Sequence, residues 1–224
     1  LYYPTDDKHV NIKAYYPSTV TNDQATFSVD ADQTGEEGDE KYKDSDLMMS
    51  SIANQARTSG MVNLNFEHKM VKFIFNVVPD GDVDIEECWL DNVVTTVGID
   101  HEHESVTALG ESASNRQNVK LDNGGAVIIP PQTLSGDFLV VKGSARFGDD
   151  TKEHEEAKFS LYDKTQEIPT ERILESGKVY TVNVSVGYDN FGNTYNLGKW
   201  DDDAGVISIA TFGASGISIE DENH

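Results

Sequence analysis

Along most of this chain apolar and polar residues alternate with period two, the pattern of strands that bury one face. In "HVNIKAYYP" Val10, Ile12 and Ala14 share one parity, and Pro17 ends the run. "ATFSVDA" repeats it with Phe27 and Val29. The strongest signal is "MVNLNFEHKMVKFIFNVVP". There Val62, Leu64 and Phe66 alternate, and Met70 to Val78 is almost continuously apolar, which predicts a strand covered on both faces. A turn follows in "PDGD" at 79–82. Beyond it, "IEECWLDNVVTTVGI", "NVKL", "GGAVIIPPQ", "DFLVVKGSARF", "EAKFSLY" and "KVYTVNVSVGY" are short runs bounded by Gly, Pro, Asn or Asp. Strands at this spacing predict an all-β, antiparallel sandwich architecture, with no repeat of solenoid period.

Two segments depart from the pattern. "SDLMMSSIANQA" predicts a short helix capped by Ser45 or Asp46, with Leu47 and Ile52 roughly a turn and a half apart. "IPTERILESG" predicts one or two helical turns ending at Gly177. Before the first of these, "DQTGEEGDEKYKDSD" is acidic and almost free of apolar residues, so it reads as a solvated loop.

The far end returns to strand alternation in "GVISIATFGASGISI". Ile207, Ile209, Ile217 and Ile219 fall on one parity, and the Gly213–Gly216 interruption would let the strand bend or change partners midway. It reads either as the last strand of the chain's own domain or as a strand offered to another molecule.

Composition narrows the classes. The 224 residues suffice for one large domain or two small ones. With 17 basic and 40 acidic side chains the net charge is −23, which disfavours nucleic acid and anionic membrane surfaces while leaving room for cations. No run approaches the ~20 apolar residues of a membrane span, and no signal peptide is evident. The opening residues "LYYPTDDKHVNIKAYYP" already read as strand, so the chain is expected to begin inside a fold. Cys88, the one cysteine, sits in the apolar run "CWLDNVV" and is expected to be a buried thiol.

Candidate chemistry is sparse. "DHEHES" puts His101 and His103 on one face of an extended chain, two potential ligands of a transition metal. No third ligand stands at a recognisable spacing, and a polar loop or strand edge is the better reading. The acids around Asp30–Asp46 and at Asp201–Asp203 lack the spacing of a calcium loop. No phosphate loop or serine elbow is present, Cys88 has no base nearby in sequence, and His68 reads as a structural histidine. No motif requires a cofactor, and no catalytic residue is assigned. The pairs Tyr2-Tyr3 and Tyr15-Tyr16 could stack on sugars but read better as strand-end residues closing a core.

Taken in order, "LYYPTDDKHVNIKAYYP", "DSDLMMS", "LNFEHKMVKFIFNV", "AVIIPPQTLSG", "ESGKVYTVNVSVG" and "LGKWDDD" resemble the fimbrillin-like proteins of Bacteroidales, subunits of type V pili. The resemblance implies two transthyretin-like β-sandwich domains, the first incomplete here. It implies residues 1–82 and 83–203 as the domains and 204–224 as a tail. It further implies export as a lipoprotein, a surface location with outer-membrane association before assembly, and proteolytic opening of a groove in the first domain. The groove is filled by a neighbour's C-terminal strand, which corresponds here to Val206, Ile207, Ile209, Phe212, Ile217 and Ile219. Four inserted isoleucines would contribute about 6–12 kcal/mol of gross apolar stabilisation. Other pilus subunits are the implied partners. A tip or accessory subunit binding host protein or glycan through its loops is the alternative, and a glycan-binding or glycan-hydrolysing sandwich a third.

Overall fold

The alternating segments are realised as strands in a computed structural model, which describes residues 9–35, 40–56, 60–163, 168–169, 171–196, 207–211 and 215–219. In chain order they are β1 (Val10–Tyr16), β2 (Thr26–Ser28), β3 (Met48–Gln55), β4 (Val62–His68), β5 (Val71–Asp80) and β6 (Asp82–Val94). Then come β7 (Thr96–Asp100), β8 (Ser105–Ala108), β9 (Arg116–Leu121), β10 (Ala126–Ile129), β11 (Thr133–Phe147) and β12 (Asp150–Asp163). The last are β13 (Ile168–Pro169), β14 (Glu171–Ile173), β15 (Lys178–Gly187), β16 (Thr194–Asn196), β17 (Ile207–Thr211) and β18 (Ser215–Ile219). Among the described residues, one short α-helix, α1, covers Glu40–Asp44. No helix among the described residues is long and apolar enough to cross a membrane.

A sandwich dominates. One sheet has the order β10-β5-β15-β17, the other β13-β12-β11-β6-β9, with β14 and β16 pairing to β11 and β12. Alternate residues of their inner faces form one core, including Phe73, Phe75, Leu90, Phe138, Phe159, Tyr180 and Val182. Phe73 and Phe138 meet edge to face, with centroids 6.3 Å apart. Most ladders are antiparallel, but β5 and β15 run parallel over nine residue pairs, as do β12 and β16 over three. The turn at Gly81 (φ +85°) joins β5 to β6, strands of the two facing sheets, so both sides of "PDGD" feed the same core.

Two smaller sheets carry clusters of their own. Sheet β2-β7-β8 covers a second cluster built on Phe27, Tyr42, Leu47, Met49, Met70 and Val97. Sheet β1-β3-β4-β18 carries a third, of Met48, Leu64 and Phe66, flanked by Ile12, Ala14, Tyr16 and Ile52. Tyr15 and Tyr16 pack against the second and third clusters respectively. Tyr2 and Tyr3 lie outside the described residues.

Both expected helices are strands. Met48–Gln55 pairs with β1, and consecutive Met48 and Met49 enter different cores on opposite faces of the strand. Only a period-two backbone sends neighbours to opposite sides, so tertiary burial overrides the helix propensity of Met, Ala and Gln. The helix that does form, α1, falls in the acidic segment read as loop, where Tyr42 anchors it in the second cluster. Ile168–Pro169 and Glu171–Ile173 likewise pair antiparallel with β12 and β11. Gly177 is in a left-handed turn (φ +69°), and a Cβ there would stand 3.1 Å from the His68 carbonyl oxygen.

Candidate strand-pairing site

Sheet edges are closed in two ways. On one side of the sandwich, residues 31–33 seal β9 and β10 together. Lys120 N–H donates to the Ala31 carbonyl (2.8 Å), and Gln33 N–H donates to Lys120 (3.2 Å). The buried Gln33 amide then pairs with both backbone groups of Ile128, at 2.8 Å each. A side chain thus stands in for the missing strand at β10, removing a template for aggregation. Gln132 does the same for Val94.

The other closures come from the chain's C-terminal end. β17 adds antiparallel to β15, with Ile207 in register with Val182 and Ile209 with Tyr180. β18 adds antiparallel to β4, with Ile217 opposite Leu64, Ile219 opposite Val62 and Ser215 opposite Phe66. Val182, Tyr180, Leu64 and Phe66 are all buried positions. The isoleucines picked out by parity therefore stand at register positions opposite inward residues, apart from Ile219, whose partner Val62 is half-buried. Val206 and Phe212 lie outside the described residues, as do Asp201–Asp203.

The two acceptor strands differ. β15 has β5 on its other side over nine pairs, so it stays in a sheet without the tail. β4 pairs with β3 only through Met48–His68 and Met49–Glu67. Among the described residues, the stretch Val62–Phe66 has no ladder partner except β18. A backbone stretch carrying fully buried Leu64 and Phe66 thus depends on a strand from the far end of the chain.

Thr211 pairs with Lys178 and Ser215 with Phe66, so the tail leaves the sandwich at Thr211 and joins the small sheet at Ser215. The main chain makes the same passage at Lys69–Met70. Lys69 N–H donates to Leu47 (2.9 Å), Ser176 Oγ donates to the Lys69 carbonyl (2.9 Å), and Gly177 N–H donates to Met70 (2.9 Å). His68 Nδ1–H donates to Asp46 Oδ2 at 2.7 Å, both side chains being largely buried. Lys69 Nζ donates to Glu67 at 2.8 Å and holds that carboxyl below its ordinary value. These contacts give β4 and the start of β15 a common, fixed junction.

The other candidate residues lie away from the tail. His101 and His103 lie in the β7–β8 turn, in keeping with a polar loop rather than a metal site. His101 donates from Nε2 to the Gln24 carbonyl (2.7 Å), its Nδ1 is 3.0 Å from the Tyr15 hydroxyl, and the two rings meet edge to face. His103 turns instead to Asp100, donating from Nδ1 at 2.7 Å. The pair does not converge, and no group of three or more His, Cys, Asp or Glu among the described residues could hold a metal ion. Cys88 lies in the sandwich core, where burial, with a smaller contribution from Asp122, pushes its thiol up to about 12. A cleft of about 430 Å³ beside it is lined by Glu86, Glu87, Lys120 and Asp122 but by no aromatic side chain.

The dependence of Val62–Phe66 on the tail was missed in sequence. Alternation located that strand and the tail separately, but nothing local records that they pair. The resemblance pointed to the tail and left its acceptor unnamed.

Comparison with known proteins bears on this arrangement. A crystal structure of a candidate cell adhesion protein from Bacteroides uniformis superposes with a TM-score of 0.52 at 13% identity, covering 98% of this chain and 76% of the other. One from Bacteroides ovatus, also a candidate cell adhesion protein, gives 0.50 at 16% identity, covering 94% and 69%. These likenesses concern the fold. No protein of curated function matches the sequence. The model of the fimbrillin-like family matches residues 1–200, and this chain, with its β sandwich closed by C-terminal strands, belongs to that family.

Proposed function

We propose that this protein is a non-enzymatic structural subunit of a surface pilus, joined to its neighbours by exchange of the C-terminal strands and supporting adhesion. The observation that carries the proposal is that, among the described residues, β18 is the ladder partner of Val62–Phe66. An edge whose partner is a separable terminal segment can take the same segment from a second copy, because every contact is reproduced in trans. Ten residues separate Asn196 from Ile207. Fully extended they span roughly 35 Å, enough to reach another molecule. Five ladder pairs at each edge would contribute on the order of 1 kcal/mol net per hydrogen bond, beyond the apolar burial.

On this reading the partners are other pilus subunits. The subunit is outer-membrane-associated before assembly and belongs to the fimbrium afterwards. That β5 and β6 share one core favours a boundary ahead of β5 over one after Asp82, with β2 pairing to β7 across it. A transthyretin-like assignment of each part fits this division. The test is the double substitution Ile207→Asp, Ile209→Asp, followed by sedimentation and circular dichroism. A folded monomer that no longer assembles supports strand exchange. A chain that loses its fold assigns the tail to its own core.

A further inference from the structure

We infer that the monomer is self-capped by a two-part latch, in which β18 is the half that opens and β17 the half that holds. The inference rests on the strand-exchange reading and adds what that reading does not contain: an order of events and a barrier before assembly.

Three observations carry it. First, the chain's own β17 and β18 occupy β15 and β4 together, so a lone molecule does not present Val62–Phe66 unpaired. Second, the two halves stand over unequal cores. Among the described residues, β17 is in register with Tyr180 and Val182, members of a cluster of 24 buried residues, whereas β18 faces Leu64 and Phe66, members of a cluster of three flanked by the half-buried Ile12, Ala14, Tyr16 and Ile52. Third, the strands differ in sequence. β17 reads Ile-Ser-Ile-Ala-Thr, while β18 reads Ser-Gly-Ile-Ser-Ile, with Gly216 inside it. A strand glycine costs backbone entropy and offers no side chain to pack. Burial and composition therefore both make β18 the weaker half.

The closeness of the two halves in sequence gives this inequality a consequence. Only three residues join the halves, so while β17 stays bound β18 is held close to its edge and rebinds quickly. Opening is then a local event within one molecule. It exposes Val62–Phe66 to a neighbour's strand and frees β18 for a neighbour's edge at the same moment. Assembly should begin with a first-order step whose rate is independent of protein concentration, followed by second-order pairing.

Register-matched disulfides test the order in the full chain. Asn63 stands opposite Ser218 and Thr181 opposite Ser208. Facing Cα atoms of antiparallel strands are about 4.5–5.5 Å apart, within disulfide range. Cys88 is buried and does not compete. One variant carries Asn63→Cys with Ser218→Cys, the other Thr181→Cys with Ser208→Cys. The probe is a dye-labelled peptide of residues 214–224, with uptake followed by fluorescence anisotropy.

The expected results are loss of uptake in the oxidised Asn63/Ser218 variant and its recovery on reduction, with a rate that levels off as peptide concentration rises. The oxidised Thr181/Ser208 variant should still take up peptide, because its β18 is free to open. Equal uptake by oxidised and reduced Asn63/Ser218 variants, or failure of that disulfide to close within one chain, would overturn the latch and leave strand exchange standing. If the reduced variants and the unsubstituted chain neither take up peptide nor self-associate, strand exchange itself falls and the latch with it.

Discussion

The two strands that receive the tail are opposites in what they owe to it. β15 belongs to a sandwich whose inner faces bury Phe73, Phe138, Phe159 and Tyr180, and β5 holds it along nine residue pairs. β4 sits over three buried residues and keeps two pairs with β3. The same kind of contact, an antiparallel ladder of five, is an addition in one place and a requirement in the other. Burial explains the difference, because a core of this kind scales with the apolar area that facing layers remove from water. On the face that carries Leu64 and Phe66, the small sheet buries far fewer apolar residues. The sandwich is thus the scaffold, and the small sheet is where a strand from elsewhere matters.

The sharpest way to break this contrast is to cut into each core. Phe73→Ala removes an edge-to-face partner of Phe138 and should cost about 3–5 kcal/mol, read as a lowered urea midpoint for the whole chain. Leu64→Ala should cost about 2–5 kcal/mol, at the lower end, and mainly as local opening. Hydrogen exchange would then accelerate in β1, β3 and β4 while β5, β11 and β15 stay protected. Cys88 separates the two cases. Its thiolate is disfavoured by burial, with the thiol at about 12, so a thiol reagent at pH 8 reports opening of the sandwich. Labelling should quicken in Phe73→Ala and stay slow in Leu64→Ala. Equal acceleration in both would mean the molecule opens as one unit.

A smaller effect tests the edge that needs no tail. Gln33→Ala leaves the N–H and C=O of fully buried Ile128 without their partner and should cost about 1–3 kcal/mol. Equilibrium unfolding measures the loss. Self-association through β10 at high concentration, seen by sedimentation, is the second expected sign.

The smallest effect is that of pH. Glu67 is held down by Lys69, Glu86 by a hydrogen bond from His154, Asp100 by the His103 backbone and ring, and Asp32 by Thr34. A depressed carboxyl stabilises the fold above its ordinary value, 4.5 for Glu and 3.8 for Asp, and the contribution disappears as pH falls through the folded-state value. All four are solvent-screened, and neutralising acids also relieves the repulsion of a chain at −23. The urea midpoint should therefore decline only modestly below about pH 4.5. A steep drop already above pH 5 would contradict this assignment to the four carboxyls.

Much of this was legible in the sequence, for an identifiable reason. Alternation is a local property, and it located β1, β4, β5, β15 and the tail because each buries one face or lies in a sandwich interior. It failed at Met48–Gln55, where successive residues enter different cores and composition favours helix. It also failed at α1, whose anchor is the single residue Tyr42. The strand partners were not readable at all. Val62–Phe66 meets a strand some 150 positions away, and Gln33 meets Ile128 across 95. Pairing at such separation is set by the whole fold, so sequence supplies the edges but not their occupants. For His101 and His103 the spacing suggested convergence, whereas a turn sends one ring to Tyr15 and the other to Asp100.

The central claim is that β18 of one molecule can lie on β4 of another. The most direct measurement mixes two chains, one with Asn63→Cys alone and the other with Ser218→Cys alone, under mild oxidation as assembly proceeds. Strand exchange predicts a disulfide joining the two different chains, formed in proportion to assembly and absent when either cysteine is missing. If the two chains never cross-link, while a chain carrying both cysteines closes on itself in full, β18 is an ordinary last strand and the claim is wrong.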